Sequence, residues 1–266
     1  RYLSDNTMID YSFSTSDLEY FLLVFIRIVS FMHLAPFYGD SSVPSRFKVG
    51  LSLALSYIVF LITPHTQLQY DTVVEYAALV VMEASVGLLI GLVSTVCMQI
   101  ASMAGRLIDM EIGLSAASTM DPTYRDNVTV SGLIYRYAFT LLLITSGMYQ
   151  YIIKAFVQTY DLIPVGNVHF ALDKILSSLI SFVGQYFLIG FQIAMPVFAV
   201  ITVMNAVLGI LAKVAPQMNL FAVGMQLKIL VGLTVLYLSM WLVPMAADRM
   251  FTQMKRMIVS MVEAMM

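Results

Sequence analysis

The sequence predicts an all-α membrane protein of about six long, kinked hydrophobic helices arranged in hairpins, and three observations carry that prediction. Hydrophobic residues fill 60% of the 266 positions and charged residues only 11%, with a mean hydropathy of +0.86; ordinary soluble domains carry roughly a quarter charged residues. Six apolar stretches can be drawn, most of them close to or beyond the ~20 residues with which a helix crosses ~30 Å of hydrocarbon. Between two of them, from Ala206 to Lys228, the chain reads AVLGILAKVAPQMNLFAVGMQLK, a polar knot of Lys213, Pro216, Gln217 and Asn219 bracketed by Leu, Met, Phe and Val. That is the turn of a membrane hairpin, with a tip that meets protein or headgroups more than bulk water.

Residues 1–17 are polar and mildly acidic, without a basic start or a small-residue cleavage site, so they are expected to form a polar tail rather than a cleaved leader. The first apolar stretch runs from Leu18 to Tyr38. Pro36 stops it, residues 39–42 make a turn, and Pro44 restarts the second stretch, Phe47 to Thr63, with Arg46 and Lys48 expected at the membrane interface. The third, Val73 to Gly105, carries Gly87, Gly91, Ser94, Ala101 and Gly105 at spacings of mostly three or four. Small residues at that spacing form a groove into which another helix packs closely, the device that replaces the hydrophobic effect in lipid.

The segment that follows, GRLIDMEIGLSAASTMDPTYRDN, is small or polar at Asp109, Gly113 and the run Ser115, Ala116, Ala117, Ser118, and Asp121–Pro122 is a strong turn signal. Ile112, Leu114 and Met120 interrupt it, so the segment is expected inside a cavity or against partner chains. The fourth stretch is Val128 to Tyr160. The fifth, Ile175 to Ala212, is too long for one upright span and holds Pro196 near its middle, where a kink is expected. The sixth, Leu220 to Ala247, precedes an amphipathic tail at 251–266.

Arg27, Glu75, Glu83, Arg136 and Lys228 fall within or beside these stretches, where an isolated charge costs roughly 2.5–3.5 kcal/mol at the bilayer centre. Glu75 and Lys228 lie near stretch ends, where snorkelling serves; Arg27, Glu83 and Arg136 are expected in the interior or at subunit contacts. The remaining Lys and Arg divide almost evenly between the two sides of a six-pass arrangement, so they set no orientation.

A formal net charge of −2, without a basic run, excludes a nucleic-acid partner. Cys97 is the only cysteine, so neither an internal disulfide nor a thiolate metal site is available. His33, His65 and His169 are scattered, and the sequence has no HExxH, P-loop or GxSxG pattern. Neither an enzyme nor a bound cofactor is expected.

Four motifs taken together carry a resemblance that covers the chain from about Leu18 to Met250. They are R(x8)P(x7)PSRFK (Arg27, Pro36, Pro44 to Lys48), G(x3)D(x3)G(x7)DP (Gly105, Asp109, Gly113, Asp121, Pro122), IPVG (Ile163 to Gly166) and LGILAKVAPQMNLFAVGMQLKI (Leu208 to Ile229). In these the chain resembles the FliR family of the flagellar type III export gate, which has an injectisome counterpart; the stretch from Ala117 to Pro122 and the APQMNLF run look closer to flagellar members.

The resemblance implies a chain built of a FliP-like part, about 18–174, and a FliQ-like part, about 175–250. One copy would join FliP and FliQ subunits, and an FlhB-type export protein, in a tapering gate. That gate passes unfolded export substrates at the flagellar basal body, in the lipid of the bacterial inner membrane. Asp109, Ile112, Gly113, Leu114, Ser115, Ala116, Ala117, Ser118, Met120, Asp121 and Pro122 match the family's pore plug. Arg27, Pro36, Pro44, Lys48, Glu83, Gly87, Gly91, Arg136, Lys213, Pro216, Gln217 and Asn219 are candidate subunit-packing residues. The rival readings are an injectisome gate subunit, a secondary transporter with helices broken near Pro196 and Pro216, and, least supported, an intramembrane enzyme.

Overall fold

A computed structural model describes residues 15–40, 42–64, 68, 70–115, 129–217 and 220–266. Every regular element among them is helical: α1 (Thr15–Leu34), α2 (Ser45–Ile62), α3 (Val73–Ile112), α4 (Val130–Thr145), α5 (Met148–Leu162), α6 (Leu172–Val214), α7 (Leu220–Ser239) and α8 (Val243–Glu263). A short 3₁₀ turn, Met240–Leu242, joins the last two. Among the described residues four spans are long and apolar enough to cross a membrane, five if the bent α4–α5 pair is one span, against the six expected. α1 falls out of the count because Asp17, Glu19 and Arg27 share its 20 residues, and one face of it is core: Leu23, Val24, Ile28, Phe31 and Met32 are all buried.

α3 is the axis of the molecule and touches α1, α4, α6, α7 and α8. At 1.5 Å per residue its 40 residues, like the 43 of α6, run for about 60–65 Å, twice the ~30 Å of hydrocarbon in a bilayer. α3 continues past Gly105, where its apolar stretch was expected to end, to a left-handed cap at Gly113. Its start is fixed by a capping box in which Thr72 accepts from the Glu75 N–H and the Glu75 carboxylate accepts from the Thr72 N–H. Glu75 therefore serves the helix end rather than reaching for headgroups.

The small-residue groove is filled from inside the chain. At Gly91 a methyl group would sit 2.9 Å from both Leu34 Cβ and the Phe31 carbonyl oxygen, and at Gly87 it would meet the Arg27 carbonyl; α1 thus lies backbone-close along α3. Thr95 completes the seam by donating its hydroxyl to the Leu34 carbonyl.

The fourth apolar stretch breaks where none was expected. Ser146 and Gly147, the latter at φ +69°, separate α4 from α5, which diverge by 67°. α5 turns back onto the core, and Phe156 stacks on Phe31 with ring centroids 4.0 Å apart. Pro196 lies inside α6 without ending it.

The stretch read as an amphipathic tail continues α8. Met250, Phe251, Met254, Met257, Ile258 and Met261 are buried, and α8 packs on α3. The segment before α6 is tied to the same end of the chain, since the Ala171 N–H donates to the Ala264 carbonyl at 3.0 Å.

Candidate functional site

Two buried polar junctions hold the helices in register, and a third feature, the α6–α7 hairpin, displays apolar surface. Arg27 on α1 and Glu83 on α3 are both fully buried, and Arg27 Nε donates to Glu83 Oε2. Arg27 Nη1 donates to the Ile163 carbonyl at 3.0 Å, and the Gly166 N–H donates to Glu83 Oε1 at 2.9 Å. The guanidinium carbon sits 4.5 Å from the centroid of Tyr160. That ring face partly offsets the lack, among the described residues, of a hydrogen-bond acceptor at Nη2.

The IPVG motif is therefore a docking turn for this ion pair. Gly166 adopts φ +83°, a conformation that glycine reaches without strain. Two charges that would each be costly alone are neutralised by one another and by backbone groups, so the pair rivets α1, α3 and the chain after α5 at one point.

The second junction closes the long connection after α3. Asp109, 1% exposed, accepts the Ser131 N–H at 3.0 Å and the Ser131 hydroxyl. Ser131 lies in the first turn of α4, so the carboxylate satisfies an N–H without an intrahelical partner and faces the positive end of the helix dipole. One turn earlier, Gly105 meets the backbone of Gly132 so closely that a methyl group would fall on it.

Asp109 and Ile112 thus belong to the buried end of α3, where Ile112 is fully enclosed against Gly232 of α7. Gly113 ends the helix at φ +92° with its N–H on the Asp109 carbonyl, Leu114 packs against the core, and Ser115 is half-buried. Ala116, Ala117, Ser118, Met120, Asp121 and Pro122 lie outside the described residues, as does Asn219.

The corner between α1 and α2 is self-contained. Pro36 lies in the turn that closes with the Gly39 N–H on the Ala35 carbonyl at 2.7 Å, and Pro44 immediately precedes α2. Lys48, expected at the interface, is 9% exposed and donates to the Gly39 carbonyl at 2.9 Å. Its short distance to a free carbonyl of the same chain outweighs snorkelling to lipid. Arg136, expected in the interior or at a subunit contact, is half-exposed and pairs with Asp40. The Asp40 carboxyl is held below its usual range chiefly by the Ser42 N–H, 2.9 Å from Oδ1, against an opposing effect of partial burial and with help from Arg136.

At the hairpin, Lys213 occupies the last turn of α6, and Pro216 and Gln217 form the exposed turn. The two arms meet at Gly224, where a methyl would lie 3.3 Å from Leu208. Away from that seam they present Val203, Val207, Ile210, Val214, Leu230 and Leu238 to the outside, and only 22% of the most apolar window of α6 is buried.

Sequence reasoning marked Arg27, Glu83 and Asp109 one at a time. It missed Ser131 and Gly132, which lie outside the motifs, and it missed Ile163 and Gly166 as partners of the ion pair. The Ser-Gly turn signal at 146–147 and the T-x-x-E box at 72–75 were present to be read. Among the described residues no group of three or more His, Cys, Asp or Glu is placed to hold a metal ion.

The chain matches the family described as bacterial export proteins, family 1, over residues 18–254. It is 30% identical to the flagellar biosynthetic protein FliR of Aquifex aeolicus (strain VF5) over 232 residues, 86% of this chain and 88% of that protein. With the protein of the same name from Bacillus subtilis (strain 168) it shares 30% over 236 residues, 87% and 90% of the two chains. With that of Escherichia coli (strain K12) it shares 28% over 236 residues, 86% and 87%. The match begins in α1 and ends inside α8, taking in both buried junctions and the hairpin, and the chain belongs to the family of bacterial export proteins, family 1.

Proposed function

We propose that this chain is the FliR-type subunit of a flagellar type III export gate in the bacterial inner membrane. One copy packs among FliP- and FliQ-type subunits, next to an FlhB-type protein, and unfolded flagellar proteins pass through the assembly. The observation that carries the reading is similarity over nearly the whole length to flagellar biosynthetic FliR proteins.

The physical form of the chain supports it. Helices of 40 and 43 residues exceed what one bilayer crossing needs. The α6–α7 hairpin leaves most of its apolar surface without a cover from its own chain, and contiguous apolar surface on that scale marks a lipid or protein contact. The sequence carries no nucleotide-binding motif, so the role is that of a conduit, with energy supplied elsewhere.

In this reading the connection between α3 and α4 is the plug. A segment rich in Gly, Ser and Ala, bracketed by Ile and Met, packs into a dry constriction and yields to a passing chain. Replacing residues 115–120 by a tight turn, which leaves Ile112 and the Gly113 cap in place, lets small ions leak across the membrane while secretion persists, measured as conductance in cells that express the gate. Unchanged conductance defeats the plug assignment.

A further inference from the structure

A cavity of about 160 Å³ opens between α4, α6, the 3₁₀ turn and α8, far above the ~10–15 Å³ that admits one water. Its apolar wall includes Ile189, Ile193 and Val243, and its polar side chains are Tyr135, Gln192, Ser239 and Arg249, the Ser239 hydroxyl donating to the Leu236 carbonyl at 2.9 Å. Pro196 also lines it. Lacking an N–H, Pro196 deprives the Gln192 carbonyl of its helical donor. Arg249 forms no ion pair among the described residues; the two pairs there are Arg27–Glu83 and Arg136–Asp40.

The cavity lies where the chain changes character. After Lys228, α7 carries no charge to its end at Ser239, and Tyr237 and Trp241 are 77% and 73% exposed. α8 then brings Asp248, Arg249, Lys255 and Arg256. Exposed Tyr and Trp at an apolar-to-charged boundary mark headgroup depth. A slot with an apolar wall, an unpaired guanidinium and headgroup depth has the chemistry of a phospholipid subsite.

We propose that this cavity binds an anionic phospholipid, with the phosphate on Arg249 and the start of an acyl chain against Ile189, Ile193 and Val243. The inference does not depend on the export reading, and its test reads lipid retention rather than secretion. The full chain, purified in detergent with whatever subunits accompany it, is titrated with phosphatidylglycerol and separately with phosphatidylcholine of the same acyl chains, and bound lipid is counted by native mass spectrometry.

The wild-type chain retains one phosphatidylglycerol in preference to phosphatidylcholine. Arg249→Gln weakens that retention about fivefold, the factor that one basic residue gains from an anionic surface. Ala246→Phe fills the slot and removes the bound lipid, and Lys174→Gln, an exposed charge on the far end of α6, changes nothing. Arg249 is exposed, so its variant folds and carries the test even if the filled slot misfolds. Equal retention by wild type and Arg249→Gln overturns the proposal. So does a Met245→Cys variant that cross-links to a neighbouring subunit in place of lipid.

Discussion

Glu83→Gln strikes the rivet at its centre. The carboxamide still accepts the Gly166 N–H, but Arg27 keeps its charge at a site with no exposure to solvent and, among the described residues, no second carboxylate to neutralise it. Removing one partner of a buried pair costs about 3–5 kcal/mol, a large part of the ~5–15 kcal/mol by which folded chains are stable. At roughly 2–4 °C per kcal/mol for a chain of this size, the melting temperature falls by about 6–20 °C. The assay is thermal unfolding of the detergent-purified chain followed by size-exclusion fluorescence.

A double-mutant cycle isolates the pair. Arg27→Met with Glu83→Leu removes both charges but also abandons the Ile163 carbonyl and the Gly166 N–H, each worth about 1–3 kcal/mol when left unsatisfied. The double variant is therefore less stable than wild type, yet more stable than the sum of its single changes by about 2 kcal/mol. A single-variant cost below about 1 kcal/mol, or an additive cycle, refutes the assignment of a buried, mutually neutralising pair.

Three further outcomes follow from the geometry. Gly105→Ala forces α3 from the Gly132 backbone and costs about 1–3 kcal/mol, whereas Gly184→Ala, with open space around it, is neutral or stabilising by up to about 1 kcal/mol; thermal melts that rank the two alike contradict the close contact. Asp109→Asn removes the negative charge from the α4 N-terminus and costs about 1–2 kcal/mol, read as roughly tenfold faster hydrogen exchange at Ser131 and Gly132, and unchanged exchange rejects the clamp. Because the Asp40 carboxyl is lowered, its contribution is full above the unfolded value of about 3.9 and is lost as pH falls through its folded value below that. Protection of the Ser42 amide, its exchange rate divided into the intrinsic rate at the same pH, stays constant from pH 7 to 5 and falls only under more acid conditions; a change in protection between pH 7 and 5 would show that another group controls the corner.

Periodicity and composition reveal where this chain is apolar, and charges inside apolar runs reveal that something must meet them. Arg27 and Glu83 could be marked as interior because an unpaired charge in lipid is costly. Their pairing, and the role of Gly166 and of Ile163, 136 residues from Arg27, depends on how α5 folds back, which no local pattern encodes. Lys48 illustrates the opposite error: it sits at a corner where headgroup anchoring is the usual use, but the Gly39 carbonyl lies within reach. Arg136, expected in the interior or at a subunit contact, is half-exposed and meets Asp40 of the same chain. The small-residue groove was legible as a close helix contact; that its occupant is α1 of the same chain, rather than another subunit, became visible only in three dimensions. The break at Ser146–Gly147 was missed because continuous hydropathy on both sides masked a turn signal.

The account turns on this chain being one component of a multi-subunit conduit rather than a self-sufficient bundle. The direct measurement is native mass spectrometry of the chain purified after co-expression with FliP- and FliQ-type proteins. A complex that contains one copy of this chain together with several copies of both is the predicted result. A stable monomer that leaves both partners behind, with all of its helices covered by lipid or detergent alone, contradicts it.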